Sequence, residues 1–243
     1  MSRGGGILGG FGGLAAVVLV LGAGAYVGTS GLEDLLSGPA QSSGSSQSST
    51  DLDEDVDSDA LAGASSELEA LTIAELGSGD DYDRDQYGQR WADIDRNGCD
   101  QRNDALRAGA VEVTTKPGTH GCVVLEATIE DPYTGTTIDF VKGENTVDID
   151  HVVPLSRAWQ QGASNWPEER REEFANTSDN LLAVDASANR SKGDRGPEEW
   201  MPDAGRCGYV VQWIDVKAEF ELSVSAAEKS ALEDELDECE GIL

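Results

Sequence analysis

The sequence changes character near residue 82, and this change limits which part of the chain can form a core. All five tryptophans and all four cysteines follow this point. Residues 29–81 are rich in Ser, Gly, Asp and Glu, and the stretch QSSGSSQSSTDLDEDVDSD has almost no large apolar side chain. Such a stretch buries too little apolar surface to offset chain entropy. We therefore predict a disordered acidic linker over residues 29–81, with a short helix around Glu67–Leu76, and a globular domain over residues 82–243.

The N-terminal 28 residues have the composition of a targeting segment. An uncharged apolar run from Ile7 to Val27 follows Arg3 and approaches the length of a membrane span. Ala23-Gly24-Ala25 also resembles the small-residue cleavage site of a secretory signal. Residues 1–28 are therefore predicted to be a signal peptide or a membrane anchor. Either one places the domain outside the cell or at its surface, in contact with the membrane if the segment is not cleaved.

The pattern of the globular part indicates a small α+β domain. Turn residues in DPYTG separate two predicted strands, and Ser225 with Glu228 forms a capping box for the last helix, which should end near Cys239. The predicted strands are Cys122–Glu130, Thr136–Lys142, Thr146–Ile149 and the segment NLLAV. The other predicted helices are Asp100–Ala108, Leu155–Gln161, the segment PEERREEFA that begins at Pro167, and Tyr209–Leu222.

The cysteines favour disulfides over a metal site. No two of them form a C-x-x-C pair, so a zinc knuckle is disfavoured. An even number in an exported chain favours disulfides, and three pairings are open. We favour Cys99–Cys122 and Cys207–Cys239 because each closes a short loop within one segment. The alternative is four reduced, buried cysteines.

The net charge argues against a nucleic-acid partner. The chain has 47 acidic and 17 basic residues, which give a formal charge of −30. Affinity for nucleic acids comes largely from Lys and Arg that neutralise phosphates. The bases are nevertheless clustered, since Arg157, Arg170, Arg171, Arg190, Lys192 and Arg195 lie within one stretch. A local basic track on an acidic body is compatible with weak, salt-sensitive phosphate binding.

Only two histidines are present, and they differ in setting. His151 follows Asp150 in VDIDHVVPL, where a β-branched strand meets a proline-bounded turn, so both side chains are placed at a strand end. His120 lies in PGTHGC among turn formers and is interpreted as a loop residue.

The segment downstream of His151 adds polar side chains at regular spacing. In NLLAVDASANRSKGD, Asn189 and Lys192 are three residues apart on a predicted helix start, so they share a face. Amide and carboxylate oxygens suit a hard cation such as Mg²⁺. The alternative interpretation is that Asn180 and Asn189 are ordinary loop and cap residues.

IDHVVPL followed by NLLAV-x₄-N-x-x-K resembles the ββα-metal site of HNH endonucleases. The wider pattern is RNGCDQRNDAL, DPYTGTTIDF, IDHVVPLSRAW, FANTSDNLLAVDASANRSKGD and EEWMP. It resembles the HNH proteins, secreted or lipid-anchored in actinobacteria, that are related to the C-terminal domain of GmrSD-type restriction enzymes. The resemblance covers about residues 82–240.

This resemblance implies a metal-dependent nuclease. His151 would be the general base, and Asp150 and Asn189 would bind the metal. Asn180 would brace the loop that carries the base, and Lys192 would contact the scissile phosphate. The implied cation is Mg²⁺, with Mn²⁺ or Zn²⁺ as alternatives, and the implied substrate is DNA rather than RNA.

Further phosphate contacts are expected from Arg157, Arg190 and Arg195 near the motif and from Arg102 in RNGCDQRNDAL. The sequence identifies no protein partner. The alternative function is a non-catalytic cell-surface interaction domain built on an HNH scaffold. Neither G-x-S-x-G nor H-E-x-x-H is present, so other hydrolase classes lack their signatures.

Overall fold

The computed structural model describes residues 56–242. The helices of this part are α1 (Ser58–Ala70), α2 (Gln101–Ala108), α3 (Leu155–Gln160), α4 (Glu168–Asn176), α5 (Ala186–Lys192), α6 (Arg206–Glu219) and α7 (Ala226–Glu240). The strands are β1 (Ala110–Thr115), β2 (Val124–Glu130), β3 (Thr137–Val141), β4 (Val147–His151) and β5 (Leu181–Asp185). The predicted signal or anchor and residues 29–55 of the predicted linker lie outside the described residues.

The predicted α+β class is confirmed, and the strands form two small antiparallel sheets. β1, β2 and β3 are neighbours in chain order, and the DPYTG turn joins β2 to β3. Its first residue, Asp131, accepts hydrogen bonds from Thr134 within the turn and from the backbone N–H of Asp185 at 3.0 Å. The turn is thereby fixed against the end of β5.

The second sheet pairs β4 with β5 in antiparallel register, with His151 opposite Leu181 and Val147 opposite Asp185. Helix α5 follows β5 directly and packs on both strands. Its N-cap is Asp185, whose side chain accepts from the N–H groups of Ser187 and Ala188. The chain between β4 and β5 forms α3 and α4. The result is a strand–strand–helix unit with a helical insertion after His151.

Most of the core lies between the helices. Trp213, Phe174 and Tyr133 are almost fully buried there, and Trp166 and Phe220 complete an aromatic cluster beside Phe174. A smaller core packs α2 against the three-stranded sheet. Burial of aromatic side chains of this size dominates the energetics of a small domain.

The prediction of a disordered linker is wrong for residues 56–81. Helix α1 begins after the N-cap Asp57 and packs on α6 and α7. Its apolar residues Leu61, Ala64 and Leu68 are buried and recur every three to four positions, which is the spacing of an amphipathic helix. The low overall hydrophobicity of the segment concealed this narrow apolar stripe. The helix predicted around Glu67–Leu76 thus lies earlier in the chain.

Both favoured disulfides are confirmed. Cys99–Cys122 closes 23 residues and ties the start of α2 to the β1–β2 loop. Cys207–Cys239 closes 32 residues and ties α6 to α7. In the chain-entropy model, loops of this length contribute about 3–4 kcal/mol each. Among residues 56–242, no helix has both the length and the apolar character needed to cross a membrane.

A buried carboxylate, Glu228 of α7, joins three parts of the helical core. It pairs with Lys217 of α6 and with Arg157 of α3, the latter at 3.0 Å. It also accepts hydrogen bonds from the indole of Trp213 at 2.9 Å and from the side chain of Gln161. The predicted capping box is confirmed, because Glu228 and Ser225 exchange hydrogen bonds. The pKa of Glu228 is lowered, since its cationic partners outweigh the cost of burial.

Replacing this carboxylate by a neutral isostere should destabilise the domain strongly. Glu228→Gln keeps the shape but leaves Lys217 and Arg157 with less negative charge in a buried site, which should cost about 3–5 kcal/mol. Glu233→Gln on the same helix breaks only the pair with Lys229, in which the Glu233 carboxylate is exposed, and should cost less than about 0.5 kcal/mol. Urea unfolding of both variants tests this. Equal midpoints for the two would contradict it.

A second carboxyl group should make stability depend on pH. Asp215 of α6 is exposed but shares a hydrogen bond with Glu67 of α1, and partial desolvation together with this neighbour raises the pKa of Asp215 to about 6. The folded state therefore binds this proton more tightly than the unfolded state, and the stabilisation is lost as pH rises from about 4 to 6. Asp215→Asn should raise the melting temperature at pH 7.5 but hardly at pH 4. Asp234→Asn, exposed on α7, is the matched control, and the same gain from both variants would refute this role of Asp215.

Candidate active site

The last two residues of β4, Asp150 and His151, are both buried, although they are polar. They pair with Leu182 and Leu181 of β5, so their backbone is fixed by the ladder. Both residues line a groove, called here the active-site groove, whose walls include Tyr82, Arg84, Asp150, His151, Ser156 and Asn189. The predicted location of the Asp-His pair at a strand end is thus what the structure shows.

The imidazole of His151 has a defined tautomer. Its Nε2 atom lies 2.9 Å from the carbonyl oxygen of Ala175, near the end of α4. A carbonyl oxygen only accepts, so Nε2 carries the proton in the neutral ring and Nδ1 keeps its lone pair. Burial lowers the pKa of His151 to about 3, with further lowering by Arg84 and Lys192. The ring is therefore neutral at pH 7 and able to accept a proton at Nδ1.

Asn180 clamps the chain that follows His151. It is completely buried, and its side-chain oxygen accepts from the N–H of Val153 at 2.8 Å. Its amide group donates to the carbonyl oxygens of Val153 and Phe174, and its own carbonyl accepts from the N–H of Val152. These contacts match the bracing role expected of Asn180. It contacts backbone rather than lining the groove, so it positions the base without taking part in proton transfer.

Asp150 is held by two side chains on one oxygen. Tyr133, delivered by the DPYTG turn, donates to Oδ2 at 2.6 Å, and Lys192 Nζ lies 2.8 Å from the same atom. Burial raises the pKa of Asp150, and the Lys192 ammonium opposes this rise. Lys192 also donates to the carbonyl oxygen of His151 at 2.8 Å. One lysine therefore links the Asp150 carboxylate to the backbone of His151.

The prediction that Lys192 contacts a substrate phosphate does not agree with this geometry, because its side chain is fully buried. Arg157 is also buried, between Glu198 and Glu228, and is unavailable to a phosphate. Arg102 lies over the ring of Phe140, 5.8 Å from its centroid. The sequence displays the charges of Lys192 and Arg157 but not the packing that removes them from solvent.

Two of the predicted phosphate-binding arginines remain near the surface. Arg190 of α5 is exposed, and its nearest carboxylate, Asp148, is 3.9 Å away. Arg195 is partly buried and donates through Nε to the carbonyl oxygen of Lys192. His120 lies in the exposed β1–β2 loop, as predicted.

The groove offers few ligands for a cation. Asn189 of α5 lines it beside Asp150, and the Asn189 amide group lies 3.4 Å from Asp148, which leaves the side-chain oxygen of Asn189 available. Within residues 56–242, no three His, Cys, Asp or Glu side chains are close enough to hold a metal ion. This set does not suit a closed metal cage. It does suit a hard cation that keeps several waters and shares a substrate phosphate.

Sequence reasoning missed the segment before α2. A recess beside the groove is lined by Arg84, Arg90, Trp91, His151, Ala175 and Asn176. The ring of Trp91 stacks on that of His151, with centroids 6.1 Å apart and planes 13° apart. Arg84 was missed because it lies next to the acidic segment. The alternation of aromatic residues and arginines in DYDRDQYGQRW was the available signal.

The chain is similar to known proteins over the part that carries Asp150 and His151 of the active-site groove. Residues 100–234 match the family model described as GmrSD restriction endonucleases, C-terminal domain. An "Uncharacterized secreted protein" of Arthroderma benhamiae is 39% identical over 180 residues, which cover 72% of this chain and 84% of the fungal protein. No solved structure matches the chain. The match includes β4, β5 and α5, with Asp150, His151 and Asn189, and also Asn180 just before β5. On this evidence the chain belongs to the GmrSD restriction endonuclease C-terminal domain family.

Proposed function

We propose that this protein is an exported, metal-dependent endonuclease of HNH type that hydrolyses phosphodiester bonds. The observation that carries the proposal is the neutral, oriented imidazole of His151, whose Nδ1 is unprotonated, in a groove that an acidic residue and an amide also line. Family membership supports a nuclease-type function. DNA is the first substrate to consider, because the family is named for restriction endonucleases.

In the proposed reaction, His151 accepts a proton from the attacking water through Nδ1. Its Nε2–H remains bound to the Ala175 carbonyl, so the ring does not turn as the proton arrives. In the free protein, burial and the positive charges of Arg84 and Lys192 lower the pKa of His151. The negative charge of a bound phosphate would offset these cations and raise the pKa, so His151 would be a stronger base when substrate is bound.

The strand–strand–helix unit of β4, β5 and α5 is the proposed ββα-metal motif. Asp150 would hold the cation through the carboxylate oxygen that Tyr133 and Lys192 do not contact, and Asn189 would hold it from the facing helix. A bound Mg²⁺ ion would stabilise negative charge on the leaving oxygen. Lys192 has a positioning role in this proposal, because it orients Asp150 and the backbone of His151 from below the groove.

Export is proposed on three grounds. The first is the N-terminal apolar segment, which has the character of a signal or anchor. The second is the pair of disulfides in the domain, because disulfides persist in oxidising compartments. The third is that the fungal relative is named a secreted protein. The nuclease would thus act outside the cell or at its surface.

Replacing the base should abolish cleavage. The full-length protein is incubated with DNA and with RNA in Mg²⁺, Mn²⁺, Zn²⁺ or EDTA. His151→Asn has no basic nitrogen, so the rate should fall by on the order of 10²–10⁴. His120→Asn, in the exposed loop, is the matched control and should cleave like the wild type. Wild-type turnover by His151→Asn would exclude His151 as the base, and absence of any cleavage by the wild type would favour the non-catalytic interaction domain.

Removing either proposed ligand should weaken cation binding. Calorimetric titration with Mn²⁺ should give on the order of tenfold weaker binding for Asp150→Asn and for Asn189→Ala. Asn189 is only partly buried, so its variant reports on the ion even if Asp150→Asn disturbs folding around Lys192. Asp139→Asn, exposed on β3, is the control. Isotherms that are unchanged in Asn189→Ala and in a folded Asp150→Asn would place the ion elsewhere.

A further inference from the structure

We propose that the segment 84–91 forms a binding subsite for single-stranded nucleic acid beside His151, in which Arg84 and Arg90 contact phosphates and Trp91 supports a base. This inference rests on the proposed function, because it names the substrate of the same groove. Arg84 faces both the groove and the recess, so a strand that passes His151 also passes this segment.

Helix α4 holds this segment in a defined conformation. Glu172 accepts from the N–H of Gln89 at 2.9 Å, and the side chain of Asn176 bonds to both the carbonyl of Gln89 and the N–H of Ala92. Gly88, at a φ of 70°, lies so close to Glu172 that an added Cβ would be 3.0 Å from the side chain. The same helix end binds His151 through Ala175, so base and subsite share one support.

The two arginines are the feature that points to an anionic ligand. The chain has 47 acidic residues, yet Arg84 and Arg90 form no salt bridge with any residue of the described part. Arg157, by contrast, is enclosed by two carboxylates. Arg84 and Arg90 both line the same recess as His151, so their guanidinium groups lie on the side of the imidazole that faces this recess. A phosphate at this place would supply the missing counter-charge with planar, bidentate geometry.

Trp91 has an unusual backbone conformation for its size. Its φ is 57°, in the left-handed region that bulky residues rarely adopt. Strain of this kind persists where the surroundings fix the residue, and it clusters at functional sites. The indole is only partly buried while it stacks on His151. Trp91 lines the same recess as Arg84 and Arg90, and an aromatic ring together with arginines is the combination with which proteins bind unpaired bases and the adjoining backbone.

The distribution of charge favours a single strand over a duplex. Duplex DNA presents one charge per about 1.7 Å of its axis, so it needs a broad basic surface. Around this groove the arginines alternate with carboxylates, among them Asp194 in the groove wall and Asp148 beside Arg190. A flexible single strand can direct a few phosphates to Arg84 and Arg90 and keep the others away from these carboxylates.

Binding can be measured separately from cleavage. Full-length protein carrying His151→Asn is titrated with a fluorescent oligothymidylate of about 12 nucleotides and with a duplex of equal length, by anisotropy at several salt concentrations. Arg84→Gln, Arg90→Gln and Trp91→Leu should each weaken single-strand binding on the order of tenfold. Each arginine variant should also reduce the slope of log K against log salt by about 0.7. Trp91→Phe should retain most of the affinity, and Lys116→Gln, in the exposed β1–β2 loop, should bind like the parent.

The outcomes separate this inference from the proposed function. If the duplex binds as tightly as the single strand, or if the arginine variants bind like Lys116→Gln, the subsite is refuted even when the wild type cleaves DNA. If binding depends on Arg84, Arg90 and Trp91 but the wild type cleaves nothing under any metal, the hydrolytic function is refuted and the subsite stands. A melting curve for each variant identifies loss of fold, and Trp91→Phe tests the stacking role if Trp91→Leu unfolds.

Discussion

The helical core depends on one buried carboxylate, that of Glu228. Lys217 and Arg157 reach it from two other helices, and both are almost completely removed from solvent. Two buried cations without an anion would strongly destabilise the folded state, because desolvation of each costs several kcal/mol. Glu198 supplies the second negative charge on Arg157. Helices α3, α6 and α7 are therefore bound to a single relative arrangement, since only that arrangement neutralises all four groups.

This constraint extends to the candidate site through α3. The helix begins only four residues after His151, at Leu155, and its Arg157 belongs to the buried network. Between them, Asn180 binds both polar groups of the Val153 backbone. The end of β4 is thus fixed by the sheet on one side and by the helical core on the other. A general base gains from such a setting, because the geometry of proton transfer is established before the substrate arrives.

Local patterns in the sequence predicted the parts of the molecule that depend on neighbours in the chain. The Asp150–His151 pair at a strand end, the capping box of Ser225 and Glu228, and the strands around DPYTG all follow from short-range rules. The burial of Lys192 and Arg157 does not follow from short-range rules, because it depends on which distant carboxylate pairs with each cation. The same limit hid α1, whose three buried apolar residues form a stripe only when the segment is helical. Its stability comes from α6 and α7, which lie far along the chain.

The burial of several Lys and Arg side chains also bears on how an acidic chain could bind the proposed anionic substrate. Lys192, Lys217 and Arg157 neutralise carboxylates inside the domain, so they add nothing to the surface potential that a substrate meets. The cations that remain unpaired at the surface count for more than the net charge, because the Debye length at physiological salt is about 8 Å. Within that distance a phosphate at the groove is influenced mainly by Arg84, Arg90 and their immediate neighbours. The bulk of the negative charge would instead slow the approach of a large polyanion from a distance, which favours short or flexible substrates over extended duplexes.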